Sequence, residues 1–234
     1  MSITPDLDPE FIGIYERCRG ATMTTVERMF GLYKAVRYVV EADIPGALAE
    51  CGVWKGGSVM LMAETLRLLG CTDRPLYLFD TFDGLPLPGD LDVSFDGDAA
   101  LDLMLRTPKD APDSIWCVAA EEEVRRNLLR TGHPESMIHF VPGRFVPGRV
   151  EETIPDQAPE RLALLRLDTD WYDSIRHELE HLYPRLSPGG VLIIDDYGHW
   201  LGARKAVDEF LGRLPEKVLL NRLDFSGRIA VKRG

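Results

Sequence analysis

The chain has 234 residues and a mass of 26.3 kDa, enough for one large domain or two small ones. Hydrophobic residues make up 45% and charged residues 28%, a globular balance that excludes a disordered chain. With 38 acidic and 27 basic residues the net charge is −11, which excludes a phosphate backbone as main partner and favours small-molecule chemistry.

In chain order, residues 1–23 read as an irregular arm or cap. Residues 24–42 read as a helix, with Val26, Met29, Phe30, Tyr33, Val36 and Val40 at a spacing of three or four, and Pro45-Gly46 ends it. ALAECGVW is a short apolar strand, GGSVMLMAETLRLLG a helix stopped by Gly70, and PLYLFD a second buried strand. Strand, glycine turn, helix and strand make the βαβ unit of a parallel sheet. The stretch 81–116, rich in Asp, Pro and Gly, is too long for a plain connection and reads as a lid, a binding loop or a disordered excursion, with one short helix near 99–105. A helix over 119–130 and the strand MIHFV follow. The near-duplication VPGRF-VPGRV at 141–150 is too short for a structural repeat and reads as a loop grown by a short slip.

LALLRLD is the fourth apolar strand, followed by a helix over 173–186 closed by SPGG, the strand VLIID, and a helix over 202–214. KVLLNRLDFSGRIAVKR reads as two strands and a turn, an antiparallel edge. The whole describes one doubly wound α/β domain: an arm and helical cap over 1–45, then a domain over 46–234 with its lid at 85–116. Cys18, Cys51, Cys71 and Cys117 have no CxxC spacing and read as reduced thiols. The start MSITPDLDPE has no hydrophobic signal core, and no stretch reaches the ~18–20 apolar residues of a membrane span. The expectation is a cytoplasmic protein with no membrane or nucleic-acid partner.

Open parallel sheets bind ligands beyond the carboxyl ends of their strands. The first strand ends in Glu50-Cys51-Gly52-Val53-Trp54-Lys55-Gly56-Gly57-Ser58, where glycines let a ligand approach the backbone and the next helix start. Gly52 and Gly56 are four apart, so the turn is not GxGxxG, which weighs against a nicotinamide oxidoreductase. Asp80 ends the second strand, placed to accept both hydroxyls of a ribose in a nucleoside-containing cofactor. The sharper signal is Asp168, with Asp170 close behind, and Asp195-Asp196 at the ends of the fourth and fifth strands. Carboxylates crowded there repel one another unless a cation joins them, and an all-oxygen set suits Mg²⁺, Mn²⁺ or Ca²⁺. The plainer role for Asp170 and Asp173 is to cap the helix that follows.

His177-Glu178-Leu179-Glu180-His181 matches HExxH, but the apolar stripe Ile175, Leu179, Leu182 and Leu186 lies opposite the two histidines, which are expected to face solvent rather than zinc. His199, after the aspartate pair, is a candidate base or a structural loop residue. Arg204 and Lys205 suit surface ion pairs, and Trp54 and Phe82 suit either a cofactor ring or the core.

The stretches ECGVWKGGS, LFDTFDGLPLP, LALLRLDTDWYDS, LYPRLSPGGVLIIDDYGHW and GARKAVDEF resemble the macrocin O-methyltransferase family, S-adenosylmethionine-dependent sugar methyltransferases of antibiotic pathways. Together they run from about residue 47 to 212. The resemblance implies a Rossmann-like class I methyltransferase fold with a mostly parallel seven-stranded sheet. It implies cofactor contacts at Glu50, Gly52, Val53, Gly56, Ser58, Asp80, Thr81 and Phe82, and Mg²⁺ on Asp168, Asp195 and Asp196. Asp170 or Asp168, then His199, are its candidate bases. The duplicated VPGR stretch departs from the family pattern and leaves the adenine contacts unassigned. The expected reaction is methylation of a sugar or glycoside hydroxyl. A catechol-like or other vicinal diol is the alternative acceptor, and a non-catalytic cofactor-binding subunit the alternative of another class. Self-association among relatives implies a homodimer or higher homo-oligomer, with the N-terminal helix as a possible support.

Overall fold

The computed structural model describes residues 8–111, 114–143 and 154–234. The first described element is a helix, within the stretch that the sequence reading gave as an irregular arm or cap. α1 (Pro9–Cys18) starts at Pro9, and the Asp8 carboxylate accepts from Phe11 N at 2.7 Å. It buries Phe11, Ile14 and Cys18, with the Phe11 ring 5.0 Å from Phe30 and 5.4 Å from Tyr33 of α2 (Val26–Glu41). Thr25 caps α2 by accepting from Arg28 N. The buried stripe of α2 is Met29, Leu32, Tyr33, Ala35, Val36 and Val39, so the expected Val26, Phe30 and Val40 lie at its margin, half-buried.

The sheet has seven strands: β1 (Ala47–Cys51), β2 (Leu76–Asp80), β3 (Ile138–Pro142), β4 (Leu162–Leu167), β5 (Leu186–Ile194), β6 (Asn221–Arg222) and β7 (Arg228–Val231). Their order is β3-β2-β1-β4-β5-β7-β6; the first five are parallel, and β7 runs antiparallel to both β5 and β6. Strand order reverses at β1, between β2 and β4, which opens the ligand crevice at their carboxyl ends. With α1 and α2, the helices α3 (Gly57–Leu68) and α5 (Glu121–Leu129) bury one face of the sheet. The other face is covered by α4 (Ala100–Arg106), α6 (Ile154–Gln157), α7 (Tyr172–Leu182) and α8 (Leu201–Arg213). This is the expected α/β architecture, including its antiparallel C-terminal edge.

Three local expectations are corrected. β1 stops at Cys51 instead of reaching Trp54, because Gly52 (φ 81°) and Trp54 (φ 46°) turn the chain out of the sheet. A Cβ on Gly52 would lie 1.9 Å from the Asp168 carbonyl oxygen, so glycine is what lets β1 and β4 end side by side. The helix expected over 173–186 ends at Leu182, and SPGG belongs to β5: Leu162 pairs with Leu186 but Leu164 with Val191, so the extra residues bulge out. Finally, His177 is buried rather than solvent-facing, because α7 packs against α6, α8 and β4 at once and has less free surface than a one-sided helix. The repeat residues 144–150 lie outside the described residues. All four cysteines are free, and among the described residues no helix is long and apolar enough to cross a membrane.

Buried His133 gives the fold a pH dependence. Its Nε2 lies 3.2 Å from the Arg74 carbonyl oxygen, its buried Nδ1 has no partner among the described residues, and burial lowers its pKa. A lowered histidine pKa means that the neutral form is favoured by folding, so stability falls as pH drops through the unfolded value of about 6.5. His133→Gln is expected to lose less stability than wild type between pH 7.5 and 5.5, read as the shift of the urea midpoint. Equal shifts in the two proteins would disprove this role.

Candidate active site

Side chains alternate across a strand, so Leu48 and Glu50, Leu164 and Arg166, and Val191, Ile193 and Asp195 project to the same face, toward α2 and α3. Glu50 and Arg166 are direct partners in the β1–β4 register. Arg166, unremarked in the sequence, is fully buried, and its guanidinium binds Glu50 and Asp195 and reaches Asp168 Oδ2 at 2.6 Å. Arg28 enters from the first turn of α2, binding Asp195 Oδ2 and, through Nε at 3.0 Å, Asp224. Asp195 is thus held from both sides, by partners that no local sequence pattern reveals.

Asp168, Asp195 and Asp196 each offer an oxygen within 4.8 Å of the others. Among the described residues, five carboxylates here (with Glu50 and Asp170) meet only the guanidiniums of Arg28 and Arg166. The expectation of uncompensated carboxylates is corrected in part, since Arg166 neutralises some of the charge. Burial, reinforced by the remaining excess of negative charge, pushes the pKa values of these carboxyl groups upward. Burial raises Asp168 to about 6, with Asp195 adding and Arg166 opposing. Burial takes Glu50 to about 8 despite its ion pair, because one guanidinium serves three carboxylates. Asp196 is pushed well above the usual range by burial and by Asp170, Asp168 and Asp195. Among the described residues no cationic side chain lies within ion-pair distance of Asp196. A compact all-oxygen set with excess negative charge fits a hard divalent cation.

A cleft of about 400 Å³ opens over these groups, lined in part by Glu50, Gly52, Val53, Ser58, Asp80, Thr81, Asp168, Asp170, Asp195, Asp196 and His199. Two of the expected cofactor residues stand outside the lining. Gly56 (φ 87°) is the N-cap of α3, and half-buried Phe82 packs 5.8 Å from Phe140. Gly56 brings no capping side chain, so the first N–H groups of α3 stay open toward the cleft beside Ser58. Asp80 accepts from Val53 N, from Trp54 N at 3.2 Å and from Phe82 N at 2.8 Å. Those bonds fix the carboxylate and leave lone-pair capacity for a ligand hydroxyl. The far wall, Ala21 to Thr24, comes from the segment before α2.

Asp170 has φ 63°, an unusual conformation for aspartate, and its Oδ1 accepts from Trp200 Nε1 at 2.7 Å. Burial, then Asp168, raises it to about 8. Burial and Arg28 lower His199, so its imidazole is neutral at pH 7. The stretch expected as a lid is fastened down in this structure. Trp171 Nε1 donates to the Pro86 carbonyl at 2.9 Å, Phe95 N to His199 O at 2.9 Å, and Leu201 N to Val93 O at 2.8 Å. Buried Asp92 accepts from Gly89 N and from Tyr172 N, both at 2.8 Å, so it caps α7, which has no side-chain cap of its own. Asp92→Ala would strand both donors and is expected to cost about 2 kcal/mol in denaturant unfolding. A loss below about 0.5 kcal/mol would show that water replaces the carboxylate freely.

Residues 16–228 match the model of the macrocin-O-methyltransferase (TylF) family. Among curated proteins, the chain is 36% identical over 223 residues to the 8-demethyl-8-(2,3-dimethoxy-alpha-L-rhamnosyl)-tetracenomycin-C 4'-O-methyltransferase of Streptomyces olivaceus, covering 95% of this chain and 80% of that one. It is 35% identical to the demethyldecarbamoylnovobiocin O-methyltransferase of Streptomyces niveus, over 81% of this chain and 67% of the relative. Among solved structures, the O-methyltransferase NovP superposes with a TM-score of 0.77 at 32% identity, over 92% of this chain and 83% of that one. The strand-end carboxylates and the open turn after β1 therefore sit in a known framework: the chain belongs to the macrocin O-methyltransferase family, whose members are S-adenosylmethionine-dependent O-methyltransferases.

Proposed function

We propose that the protein methylates a hydroxyl of a sugar on a glycosylated natural product, with S-adenosylmethionine as donor and Mg²⁺ as a required ion. The observation that carries this reading is the convergence of Asp168, Asp195 and Asp196 beside Asp170 in one cleft with the β1–α3 turn. Bound S-adenosylmethionine supplies an electrophilic methyl group, and a bound divalent cation supplies positive charge that orients acceptor oxygens and eases their deprotonation.

The protein's residues do the rest. Gly52, Val53 and Ser58 give the cofactor backbone access, while Asp80 and Thr81 stand at the ribose side of the cleft; Gly56 and Phe82 support that wall from behind. Asp168, Asp195 and Asp196 would hold the cation, with Arg166 and Arg28 fixing the first two carboxylates. A sugar hydroxyl is a weak nucleophile at neutral pH, so a base must take its proton. Asp170 is that base: burial strengthens its basicity, and the Trp200 bond to Oδ1 leaves Oδ2 for the acceptor. Neutral His199 is the second candidate. The 85–116 segment excludes water as a standing wall.

Isothermal titration of S-adenosylmethionine and Mg²⁺ tests this on wild type and on Asp196→Ala, which removes a carboxylate without stripping a guanidinium of its partner. The cofactor should bind both proteins and Mg²⁺ only the wild type. No cofactor binding to wild type would overturn the reading, and Mg²⁺ binding unchanged in the variant would remove the metal from it.

A further inference from the structure

Two large aromatic rings stand in water at the mouth of the cleft, on segments 130 residues apart in sequence. Phe95 is 53% exposed and Phe225 49%. The rings lie 6.4 Å apart at 64°, and both approach His199, at 5.6 Å and 6.3 Å. His199 and Phe225 line the cleft that holds the carboxylates.

Both rings stand on segments anchored through their main chains. The Phe95 main chain is bonded to His199 O, and the neighbouring Ser94 bridges to Trp200. The Phe225 main chain presses so closely on Gly198 that a Cβ there would lie 1.9 Å from the Phe225 carbonyl oxygen. Apolar rings exposed on anchored segments beside a functional cleft mark a contact surface.

Charge selects among the ligands that such a surface could take. The cleft lining holds six carboxylates (Glu50, Asp80, Asp168, Asp170, Asp195 and Asp196), and Arg28 is the one guanidinium among the described lining residues. Arg28 is already spent on Asp195 and Asp224. Even with one divalent cation bound, six carboxylates exceed the three positive charges of that cation and Arg28, so the anionic phosphates of a sugar presented on a nucleoside diphosphate would meet a net negative field. A neutral ring system meets no such penalty, and the tilted pair of rings offers it both a face and an edge.

We propose that Phe95, His199 and Phe225 form an aglycone subsite that stacks a neutral, planar aromatic aglycone while the attached sugar points to Asp168–Asp196. This rests on the glycoside reading above and names the acceptor class within it. Phe95 and Phe225 then set acceptor affinity without taking part in methyl transfer.

The test uses 7-methoxy-4-methylcoumarin, a neutral planar probe without a methylatable hydroxyl, titrated into the full chain with S-adenosylmethionine and Mg²⁺ present. Wild type should bind it saturably, and Phe95→Ala and Phe225→Ala should each weaken binding at least tenfold. Leu219→Ala, an exposed change outside the cleft lining, should leave binding as in wild type. Melting temperatures confirm that the variants are folded, as expected for substitutions of half-exposed side chains. The proposal is overturned if wild type does not bind the probe, if both alanine variants bind it as wild type does, or if thymidine diphosphate displaces it with higher affinity. Cofactor titration in the same samples separates the two levels. Cofactor binding without probe binding defeats only the subsite, whereas failure to bind the cofactor defeats the methyltransferase reading itself.

Discussion

Arg166→Leu is expected to lose about 3–5 kcal/mol of stability, the range for breaking a buried ion pair by removing one partner. Among the described residues the guanidinium is the one cation that touches Glu50, Asp168 and Asp195 together, and Glu50 and Asp195 are almost wholly inaccessible to water. Leucine fills much of the volume but leaves buried carboxylates facing one another. Burial works against the charge on Arg166 itself, yet the three carboxylates outweigh it and hold it charged. Arg166→Lys should fall between, since a single ammonium cannot reach three acceptors with the geometry of a planar fork. Urea unfolding at pH 7 measures both losses. A loss under about 1 kcal/mol for the leucine variant would mean that the carboxylates take up protons and need no cation in the fold.

The largest effect on activity is expected at Asp170. Asp170→Asn keeps an oxygen for the Trp200 N–H but removes the proton acceptor, so kcat should fall by about 10²–10⁴, the usual worth of a positioned base. Cofactor affinity should stay within about threefold, because the change leaves the β1–α3 turn untouched. His199→Gln should cost about tenfold or less in kcat if the imidazole only shapes the acceptor side. The reverse order of effects would transfer the base to His199.

Much of this was legible in the chain because local rules and global fold agree. Alternating strands and helices gave the sheet, and apolar strands ending in aspartate exposed Asp168, Asp195 and Asp196 at its ligand-binding edge. What escaped depends on long-range register. Arg166 reads as a polar interruption in LALLRLD, and its value appears only when β1 lies beside β4 and sets Glu50 opposite it, 116 residues earlier. Arg28, Asp92 and Phe225 reach the site from a helix, a connection and a hairpin that carry no motif. α1 did have a local signal, an N-capping aspartate before proline with Phe11, Ile14 and Cys18 on one side, which the glycines at 13 and 20 obscured. The burial of His177 was missed for another reason: an apolar stripe identifies the most buried side of a helix, not how many neighbours close over the others.

The segment between β2 and α4 is attached to the body largely through its main chain. Pro86 and Val93 offer carbonyls and Phe95 an N–H, while Asp92 makes the buried anchor with its side chain. Peptide groups are the same in every residue. The wall can therefore keep its shape while the side chains between its anchors drift, so acceptor preference can diverge among descendants without disturbing the inherited chemistry. A chimera that takes residues 87–98 from a relative, with the aspartate at position 92 kept, should shift acceptor preference toward the donor's, by the share that position 95 carries beside His199 and Phe225, and retain the host's cofactor site.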